Sequence, residues 1–384
     1  MTRKRSMAIV RPRKPNLAEL CMYRPFLNQF DLTFFWAGWE FEECRAQLDV
    51  FGLRDIKLVH YRSVSELFPS VLAQRALDYK VGVGSYMVSH LADVMNHDYI
   101  NVVDPIFGHT HQIASRMRAG QKLIVVRWDN LYGTQNRIWM AAWRANRVFE
   151  RADFVVCVSQ AAAATLRLPL GFAGKVVQVY PGIDLSRVRV NGSRPSEREG
   201  QPPGNRRPVV LFVGRLQWSK GLQTLLVALQ ILREHGLEPD LWVIGGGCKE
   251  PFQALANELH LQERVRFLGT LTNREVNERM AEADIFCFPS LLSPRWMEQF
   301  GFAVVEAMAH GLPVVAFDSG SIREVCGEDA LYASTGNPYS LAGEIARVIE
   351  NRAESKSRGE KLRQRALLEF DADQQGMKML EAIC

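Results

Sequence analysis

The sequence has no long apolar run. Its longest apolar stretches, such as VVLFV at 209–213 and VVAF at 314–317, fall far short of the roughly 20 residues that a membrane-spanning helix needs. The basic start, MTRKRSMAIVRPRKP, has only four apolar residues before the next arginine, which predicts no signal peptide. Seven cysteines occur without a C-x-x-C pair, and this odd, scattered set argues against a disulfide framework. We therefore expect a cytoplasmic protein.

Two phosphate-binding motifs are also missing. No P-loop sequence is present, and neither GVGSYM at 82–87 nor GGGCKE at 245–250 completes the G-x-G-x-x-G pattern after a strand. These absences disfavour a P-loop nucleotidase and a dinucleotide-dependent dehydrogenase. No cluster of metal-ligating residues is evident either, and we expect no metal or cofactor.

The net charge of +5 is divided unevenly. Residues 1–205 hold 27 Lys and Arg against 18 Asp and Glu, whereas residues 206–384 hold 20 against 24. A basic half is compatible with an anionic membrane surface, an acidic acceptor or nucleic acid. An arginine-rich solvated surface is the simpler alternative.

The chain length and the alternation of strand-like and helical patterns predict two α/β domains. At 384 residues the chain exceeds what one core usually serves. Short runs rich in Val, Ile and Phe alternate with longer helical patterns, which is typical of parallel sheets covered by helices. The predicted organisation is a Rossmann-like N-terminal domain at 1–184, a linker rich in Arg, Ser, Gly and Pro at 185–207, and a Rossmann-like C-terminal domain at 208–384. A final helix at about 361–384 is expected, packing back on the N-terminal domain.

The stretch RWMEQFGFAVVEAMAHGLPVVAF contains two carboxylates, Glu298 and Glu306. On one continuous helix they would lie roughly 80° apart, so they would not share a face. Gly311 and Pro313 predict the end of a helix that carries Glu306, which leaves Glu298 in the preceding loop. A helix N-terminus between two carboxylates suits a ligand that is anionic at one end and rich in hydroxyls at the other. The alternative is a loop glutamate beside a surface helix.

The loops after two other strands also predict ligand contacts. In open parallel sheets, ligands bind beyond the carboxyl ends of the strands. Arg215 and Lys220 follow the strand VVLFVG and offer a planar fork and a point charge to a diphosphate. The next strand ends in VIGGG, where glycines leave room for a close ligand. Two exposed basic side chains near a helix start are the simpler interpretation.

The sequence resembles the retaining GT-B glycosyltransferases of family 4 in five motifs. In chain order, these are VYPGID, FVGRLQWSKGLQTLLVAL, VIGGG, RVRFLGTL and the segment around Glu298 and Glu306. The resemblance covers residues 152–384. It implies two doubly wound Rossmann-like domains facing across a cleft, and transfer of a sugar from a nucleotide diphosphate to an acceptor hydroxyl. It also implies a surface polysaccharide, lipopolysaccharide or glycolipid product.

The resemblance assigns roles to individual residues. Glu298 would lie near the donor sugar and Glu306 would bind the ribose hydroxyls. Arg215 and Lys220 would hold the diphosphate, and the remaining donor-binding positions would be Gly214, Gly245, Gly246, Gly301 and Phe302. By similarity, the leaving phosphate helps to deprotonate the acceptor, as in a front-face displacement.

The N-terminal half departs from the family, since the turn after the first strand reads RPRKPNLAEL instead of a glycine-rich loop. His109, in VVDPIFGHTHQIA, is the first choice for an active-site histidine. The positions expected on the acceptor side are Arg11, Arg13, Lys14, Asp104, His111 and Asp129.

The expected partners are a nucleotide sugar, a glycan or lipid-linked acceptor and an anionic membrane surface in peripheral contact, but not nucleic acid. Two alternatives stay open: a GT-B protein that binds a donor without catalysis, and a sugar-nucleotide epimerase of the same architecture. Donor turnover without an acceptor would distinguish the epimerase.

Overall fold

The structure is a computed structural model that describes residues 4–12, 17–37, 48, 51–68, 70, 84–130, 139–188, 206–293 and 297–384. The chain divides into two compact units. The first consists of Met1–Asp184 together with Ala372–Cys384, and the second of Leu185–Asp371. Most of the predicted linker lies outside the described residues.

The first unit contains a parallel sheet of seven strands among the described residues, in the order β3-β2-β1-β4-β5-β6-β7. The sequence places each strand where an apolar run predicts one. The strands are β1 (Arg5–Arg11), β2 (Phe30–Trp36), β3 (Lys57–His60), β4 (Tyr99–Val103), β5 (Lys122–Arg127), β6 (Phe154–Cys157) and β7 (Lys175–Gln178).

Helices of the first unit connect these strands, and the C-terminal helix joins its core through Met379, Leu380 and Ile383. These apolar side chains recur at three- and four-residue spacing, which puts them on one helix face. The described helices are α1 (Leu17–Cys21), α2 (Leu91–Val94), α3 (Gly108–Ala114), α4 (Trp139–Phe149), α5 (Gln160–Ala164) and the C-terminal α13 (Ala372–Ile383).

The second unit has a parallel sheet of six strands in the order β10-β9-β8-β11-β12-β13. Its strands are β8 (Val209–Val213), β9 (Asp240–Ile244), β10 (Val265–Gly269), β11 (Ile285–Phe288), β12 (Val314–Phe317) and β13 (Leu331–Ala333). Sequence analysis missed β13, because its three residues, LYA, are too few to show a pattern. Its described helices are α6 (Leu222–Glu234), α7 (Glu250–Glu258), α8 (Asn273–Glu282), α9 (Phe302–Ala309), α10 (Ile322–Cys326), α11 (Pro338–Glu350) and α12 (Arg352–Glu369).

Both sheets are doubly wound: strands are added first on one side of the first strand and then on its other side. The prediction of two Rossmann-like domains is therefore confirmed. The single helix expected at about 361–384 is two helices, α12 and α13, separated at Phe370 and Asp371. Phe370 is buried against Phe300, and the Ala372 N–H donates to the Ile183 carbonyl, so the chain turns here from one unit to the other. Among the described residues, no helix combines the length and apolar character needed to cross a bilayer.

Candidate functional site

The site in the second unit lies between β8 and β11, where the order of the strands in its sheet reverses. Strand β8 pairs with β9 on one side and with β11 on the other, so the loops after β8 and β11 leave a crevice between them. The first loop carries Arg215 and Lys220, and the second carries Ser290 and Glu298. The residues that sequence analysis selected therefore converge on one edge of one sheet.

A buried ion pair joins the two loops. The Lys220 Nζ lies 2.6 Å from Glu298 Oε2, and the Ser290 hydroxyl donates to the same oxygen over 2.9 Å. Both charged side chains are only about a tenth exposed. Lys220 also lies over the Phe288 ring, with its Nζ 5.6 Å from the centroid. Lys220 was expected to be a mobile charge, but burial and the contact with Glu298 hold it in place.

The main chain of Glu298 is fixed from a third loop, which follows β12. The Ser321 N–H donates to the Glu298 carbonyl over 3.1 Å. Gly320 has a φ of +62°, and a Cβ at this position would lie 1.9 Å from the same carbonyl oxygen. Only glycine permits so close an approach of two backbones. Ser290 and Gly320 were both missed by sequence analysis, although each follows a buried strand at the carboxyl edge where ligands bind.

Arg215 differs from Lys220 in its surroundings. It is exposed, and among the described residues none forms a hydrogen bond or ion pair with its guanidinium. The structure thus puts one fixed and one solvent-facing cation on the loop after β8. An exposed guanidinium can reorient to meet a phosphate, and its flat fork suits two phosphate oxygens at once.

The glycines after β9 have a role that the sequence did not suggest. A Cβ on Gly245 would lie 1.9 Å from the Gly214 carbonyl oxygen, so Gly245 permits a close approach between two loops. The Leu216 N–H donates to the Gly246 carbonyl over 2.8 Å and ties the same loops together. Gly246 itself is exposed. The close approach of the two loops explains why residue 245 is a glycine. The expected ligand contacts of Gly214, Gly245 and Gly246 stay predictions.

The helix predicted to carry Glu306 lies where it was expected. It spans Phe302–Ala309 and begins after Gly301, whose φ is +87° and which provides no side-chain cap. Its other end is closed by hydrogen bonds from the Gly311 N–H to Met308 and from the Leu312 N–H to Ala307, the pattern of a Schellman motif. The uncapped N-terminus gives a partial positive charge beside the Glu298 loop.

Glu306 lies one turn into that helix and is partly exposed. No described side chain pairs with its carboxyl group. The protein that surrounds this group desolvates its charged form and raises the pKa of Glu306 to about 7. Near neutral pH, Glu306 therefore changes between a carboxylate, which accepts hydrogen bonds, and a carboxylic acid, which also donates one.

In the first unit, Asp104 follows β4 directly. It is buried, has a positive φ of 32°, and accepts hydrogen bonds from the Trp128 and Asp129 N–H groups at 3.0 and 3.2 Å. Burial is the main cause that raises the pKa of Asp104 to about 6, while buried Arg127 acts in the opposite direction. Positive φ at a residue other than glycine costs free energy and is frequent at functional sites. Asp129 is buried beside it.

The two candidate histidines on helix α3, His109 and His111, differ in accessibility. His109 has no exposed surface and stacks on Phe107 at 5.6 Å, and desolvation lowers the pKa of His109 to about 3. A ring without exposed surface cannot contact a ligand in this conformation, so the catalytic prediction for His109 does not fit the structure. The residue lies on the inner face of its helix, as does Ile113 four positions later. His111, in contrast, is partly exposed and lies between Tyr86 and Trp143.

Arg11, one of the positions expected on the acceptor side, is buried and is not available as an exposed basic group. Arg11 is 3% exposed at the end of β1, with an ion pair to Glu19 at 2.7 Å and a hydrogen bond to the Asn101 side chain at 2.9 Å. As the last residue of a central strand, it projects into the core and needs these partners. Arg13 and Lys14 lie outside the described residues.

Metal-ligating side chains are not grouped in the part of the chain that the structure describes: no three His, Cys, Asp or Glu residues are placed to hold an ion. The expectation that the chemistry needs no metal stays a prediction.

Two family models match the chain. The model described as Glycosyltransferase Family 4 matches residues 11–187, and the model described as Glycosyl transferases group 1 matches residues 193–365. Together they cover every described strand of both sheets except β1, of which only Arg11 lies in a matched range. The crystal structure of Alr3699/HepE from Anabaena, in complex with UDP and glucose, has a TM-score of 0.72 over 98% of both chains at 20% identity, which shows the same fold.

The relatives whose names give an activity match only about half of this chain. The chain is 30% identical over 210 residues to the 2-deoxystreptamine glucosyltransferase of Streptomyces kanamyceticus, a match that covers 53% of each chain. It is also 30% identical over 181 residues to the GDP-mannose-dependent alpha-(1-6)-phosphatidylinositol monomannoside mannosyltransferase of Mycobacterium tuberculosis, covering 46% of this chain and 47% of that protein. The chain thus spans about half the length of the curated relatives it matches.

Proposed function

We propose that the chain, which two glycosyltransferase family models match over residues 11–187 and 193–365, transfers a glycosyl group from a nucleoside diphosphate sugar to an acceptor hydroxyl with retention at the anomeric carbon. The observation that carries this proposal is the Lys220–Glu298 pair, placed at the reversal point of the second sheet and beside the N-terminus of helix α9. The UDP and glucose bound to the Anabaena structure support a nucleotide sugar as donor.

In the proposed reaction, the bond between the anomeric carbon and the diphosphate oxygen breaks, and its electron pair goes to the diphosphate. The acceptor oxygen bonds to the anomeric carbon on the same face, and its proton moves to the departing phosphate. Negative charge therefore builds up on the diphosphate in the transition state. Lys220 and the positive end of helix α9 are fixed electrostatic groups of the kind that stabilises such charge, and the exposed Arg215 can turn toward it.

The two glutamates have separate proposed tasks. Lys220 and Ser290 orient Glu298 toward the transferred sugar, where its second oxygen can contact the sugar hydroxyls. Glu306, on the helix, accepts hydrogen bonds from the ribose hydroxyls, for which it must be ionised. On the acceptor side, Asp104 and Asp129 are proposed to orient a hydroxyl, since both lie at the carboxyl edge of the first sheet. No metal is assigned to the reaction.

The proposed products are surface polysaccharides, lipopolysaccharides or glycolipids, made from a glycan or lipid-linked acceptor on the cytoplasmic side of the membrane. The mannosyltransferase relative, whose name gives a phosphatidylinositol monomannoside as its acceptor, supports a lipid-linked acceptor. The glucosyltransferase relative, named for a small aminocyclitol, supports a soluble one.

A thermal-shift screen of nucleotide sugars tests the donor site. We expect one nucleoside diphosphate sugar to raise the melting temperature and Arg215→Ala to abolish the rise. Release of the nucleoside diphosphate should then depend on an added acceptor, and NMR of the product should show the donor's anomeric configuration. Stabilisation without transfer to any acceptor would indicate a binding protein, and conversion of the donor alone would indicate an epimerase. Inversion would refute retention, and no stabilisation by any nucleotide would refute the donor site.

A further inference from the structure

A cavity in the second unit lies on other strands than the donor crevice. Its volume is about 340 Å³, and the residues that line it are Trp242, Arg266, Leu268, Arg279 and Glu282. We refer to it as the flank cavity. The first of these residues belongs to β9, the next two to the edge strand β10, and the last two to helix α8. The donor crevice, in contrast, lies between the loops that follow β8 and β11.

The sheet places Trp242 and Arg266 side by side. They are register partners on β9 and β10, and such partners on neighbouring strands project from the same face of a sheet. Leu241 and Val243, which flank Trp242 in sequence, belong to the hydrophobic core on the other face. The pairing of the two strands skips Leu268, and an irregularity of this kind redirects side chains at sheet edges. One wall of the flank cavity is therefore an indole beside a guanidinium.

Helix α8 supplies a second guanidinium, whose orientation is restricted. The Arg279 guanidinium lies over the Trp242 ring, 5.4 Å from its centroid, and pairs with Glu282 at 2.8 Å. Arg279 and Glu282 are three positions apart and so lie on the same side of the helix. Because the stacking and the ion pair already hold the side chain, a ligand that binds it loses less conformational entropy.

Arg266 carries a charge that packing does not explain. It is exposed, and its guanidinium forms no hydrogen bond or ion pair with another described residue. The lining of the flank cavity thus has two cations and one carboxylate, which favours an anion. A guanidinium presents two parallel N–H donors that match a carboxylate or a phosphate. We therefore expect the anionic group of a ligand to bind between Arg266 and Arg279.

The rest of the lining selects among anions. Glu282 repels a bare anion, but its carboxylate oxygens accept hydrogen bonds from hydroxyl groups. Leu268 and the edge of Trp242 offer apolar surface. A volume of about 340 Å³ lies within the roughly 300–1,000 Å³ of small-molecule sites, and inorganic phosphate would fill little of it. A ligand with an acidic group, several hydroxyls and an apolar ring face matches all of these features.

We propose that the flank cavity binds an acidic monosaccharide, either a sugar phosphate or a uronate unit. The acidic group contacts Arg266 and Arg279, the hydroxyls donate to Glu282, and the C–H face of the ring packs on Leu268. The proposal goes beyond the proposed function and does not depend on it, because it adds a second carbohydrate site that shares no residue with the donor crevice. A free sugar phosphate and a uronate residue within a glycan share this chemistry.

Isothermal titration calorimetry of the full chain tests the proposal. Wild type should bind glucose 6-phosphate and glucuronate more tightly than it binds glucose or inorganic phosphate. Arg266→Gln should bind glucose 6-phosphate about 10- to 100-fold more weakly, as expected for one lost charge-assisted hydrogen bond. The matched control is Arg274→Gln, which replaces an arginine that is 78% exposed on the same helix α8 and should bind as the wild type does. Equal affinities of Arg266→Gln and the wild type would overturn the proposal.

Glu282→Gln separates a sugar site from a simple anion site. The change reduces the repulsion of inorganic phosphate but weakens the acceptor for hydroxyls. The affinity for glucose 6-phosphate relative to inorganic phosphate should therefore fall about 2- to 10-fold, the effect of one ordinary hydrogen bond. Equal affinities for these two ligands in the wild type would assign the flank cavity to small anions and overturn the proposal. No binding of any acidic sugar would overturn it as well.

Two further measurements identify the site and the source of the ligand. Binding of glucose 6-phosphate should persist in Arg215→Ala and in excess UDP or GDP, and its loss in either case would place the sugar in the donor crevice and overturn the proposal. An oligosaccharide that ends in glucuronate should bind if the source is a glycan, whereas binding of glucose 6-phosphate alone would identify a free sugar phosphate; both results support the site. Thermal stabilisation by nucleotide sugars should be unchanged in Arg266→Gln, so failure of the donor site leaves this test intact.

Discussion

The Lys220 ammonium and the Glu298 carboxylate, 78 residues apart in sequence, form a 2.6 Å ion pair that joins the loops after β8 and β11. The pair is buried, and the Ser290 hydroxyl supports the carboxylate from the second loop. A single contact thus links the groups expected to face the donor diphosphate and the donor sugar. Its loss should affect both folding and catalysis, which separates Lys220 from the exposed Arg215.

Removing one partner of this pair should destabilise the fold. Lys220→Met removes the cation that lies 2.6 Å from the buried Glu298 carboxylate, and it should lower the free energy of unfolding by about 3 kcal/mol. Adding Glu298→Gln removes the charge that was left behind, so the double variant should recover part of that loss, with a coupling free energy on the order of 2 kcal/mol.

Urea denaturation of the wild type, both single variants and the double variant measures the coupling free energy between Lys220 and Glu298. The exposed pair Arg274–Glu278, at 3.0 Å on helix α8, is the matched control, and its coupling should stay below about 0.5 kcal/mol. Additive losses for Lys220→Met and Glu298→Gln would mean that the short contact contributes nothing to stability.

Arg215→Ala should behave differently. Because the side chain is exposed and forms no hydrogen bond or ion pair with a described residue, the free energy of unfolding should change by less than about 0.5 kcal/mol. A lost charge-assisted hydrogen bond to the diphosphate should lower kcat/KM by about 10- to 100-fold, which corresponds to roughly 1.5–3 kcal/mol. Arg352→Ala, a change at another exposed arginine of the same unit, is the control. Turnover close to wild type in Arg215→Ala would remove Arg215 from the donor site.

Gly320→Ala should displace the Glu298 loop. A Cβ there would lie 1.9 Å from the Glu298 carbonyl oxygen, so the backbone must move. Gly236→Ala is the control, because Gly236 has a similar φ of +77° with open space around it. The control should lose only the free energy of the left-handed conformation, about 1–2 kcal/mol. Gly320→Ala should lose more, and it should also lower kcat. Equal stability losses in thermal melts would contradict the proposed steric role.

Asp104→Asn tests the buried carboxyl of the first unit. A raised pKa in the folded state means that ionisation of Asp104 weakens the fold as pH rises from about 4 through 6. The asparagine variant lacks this charge, and its side-chain oxygen can still accept from Trp128 and Asp129. Its melting temperature relative to the wild type should therefore increase between pH 4 and pH 8. A difference that is constant over this range would show that Asp104 titrates as an ordinary exposed carboxyl.

Much of this site follows from sequence because its parts are local. A strand, a polar loop and a helix start can be recognised within about 20 residues, which is how Glu298, Glu306, Arg215 and Lys220 were selected. Partners distant in sequence could not be found in this way. No sequence pattern indicates that Lys220 pairs with Glu298 or that Gly320 contacts the Glu298 backbone. Burial was equally hidden: Arg11 and His109 resemble surface residues by type, and only packing shows them to be internal.

Substitution of Glu306 and of Glu298 should have different kinetic effects. Glu306→Gln weakens a contact to the ribose, which is the same in the ground state and the transition state, so it should mainly raise the donor KM. Glu298→Gln alters a group held beside the transferred sugar, where geometry changes during the reaction, so it should mainly lower kcat. Steady-state kinetics with the identified donor decides between these assignments. A kcat loss for Glu306→Gln together with a pure KM effect for Glu298→Gln would invert them.

The pKa of Glu306, about 7, adds a test that does not depend on the acceptor. If the ionised carboxylate binds the ribose hydroxyls, donor affinity measured by calorimetry should rise as pH increases from 6 to 8, and Glu306→Gln should remove this rise. Stability should change in the opposite direction, because a carboxyl group whose pKa is raised on folding destabilises the protein as it ionises. The melting temperature of Glu306→Gln relative to the wild type should therefore be higher at pH 8 than at pH 5. Donor affinity that rises with pH equally in both proteins would assign the titration to another group.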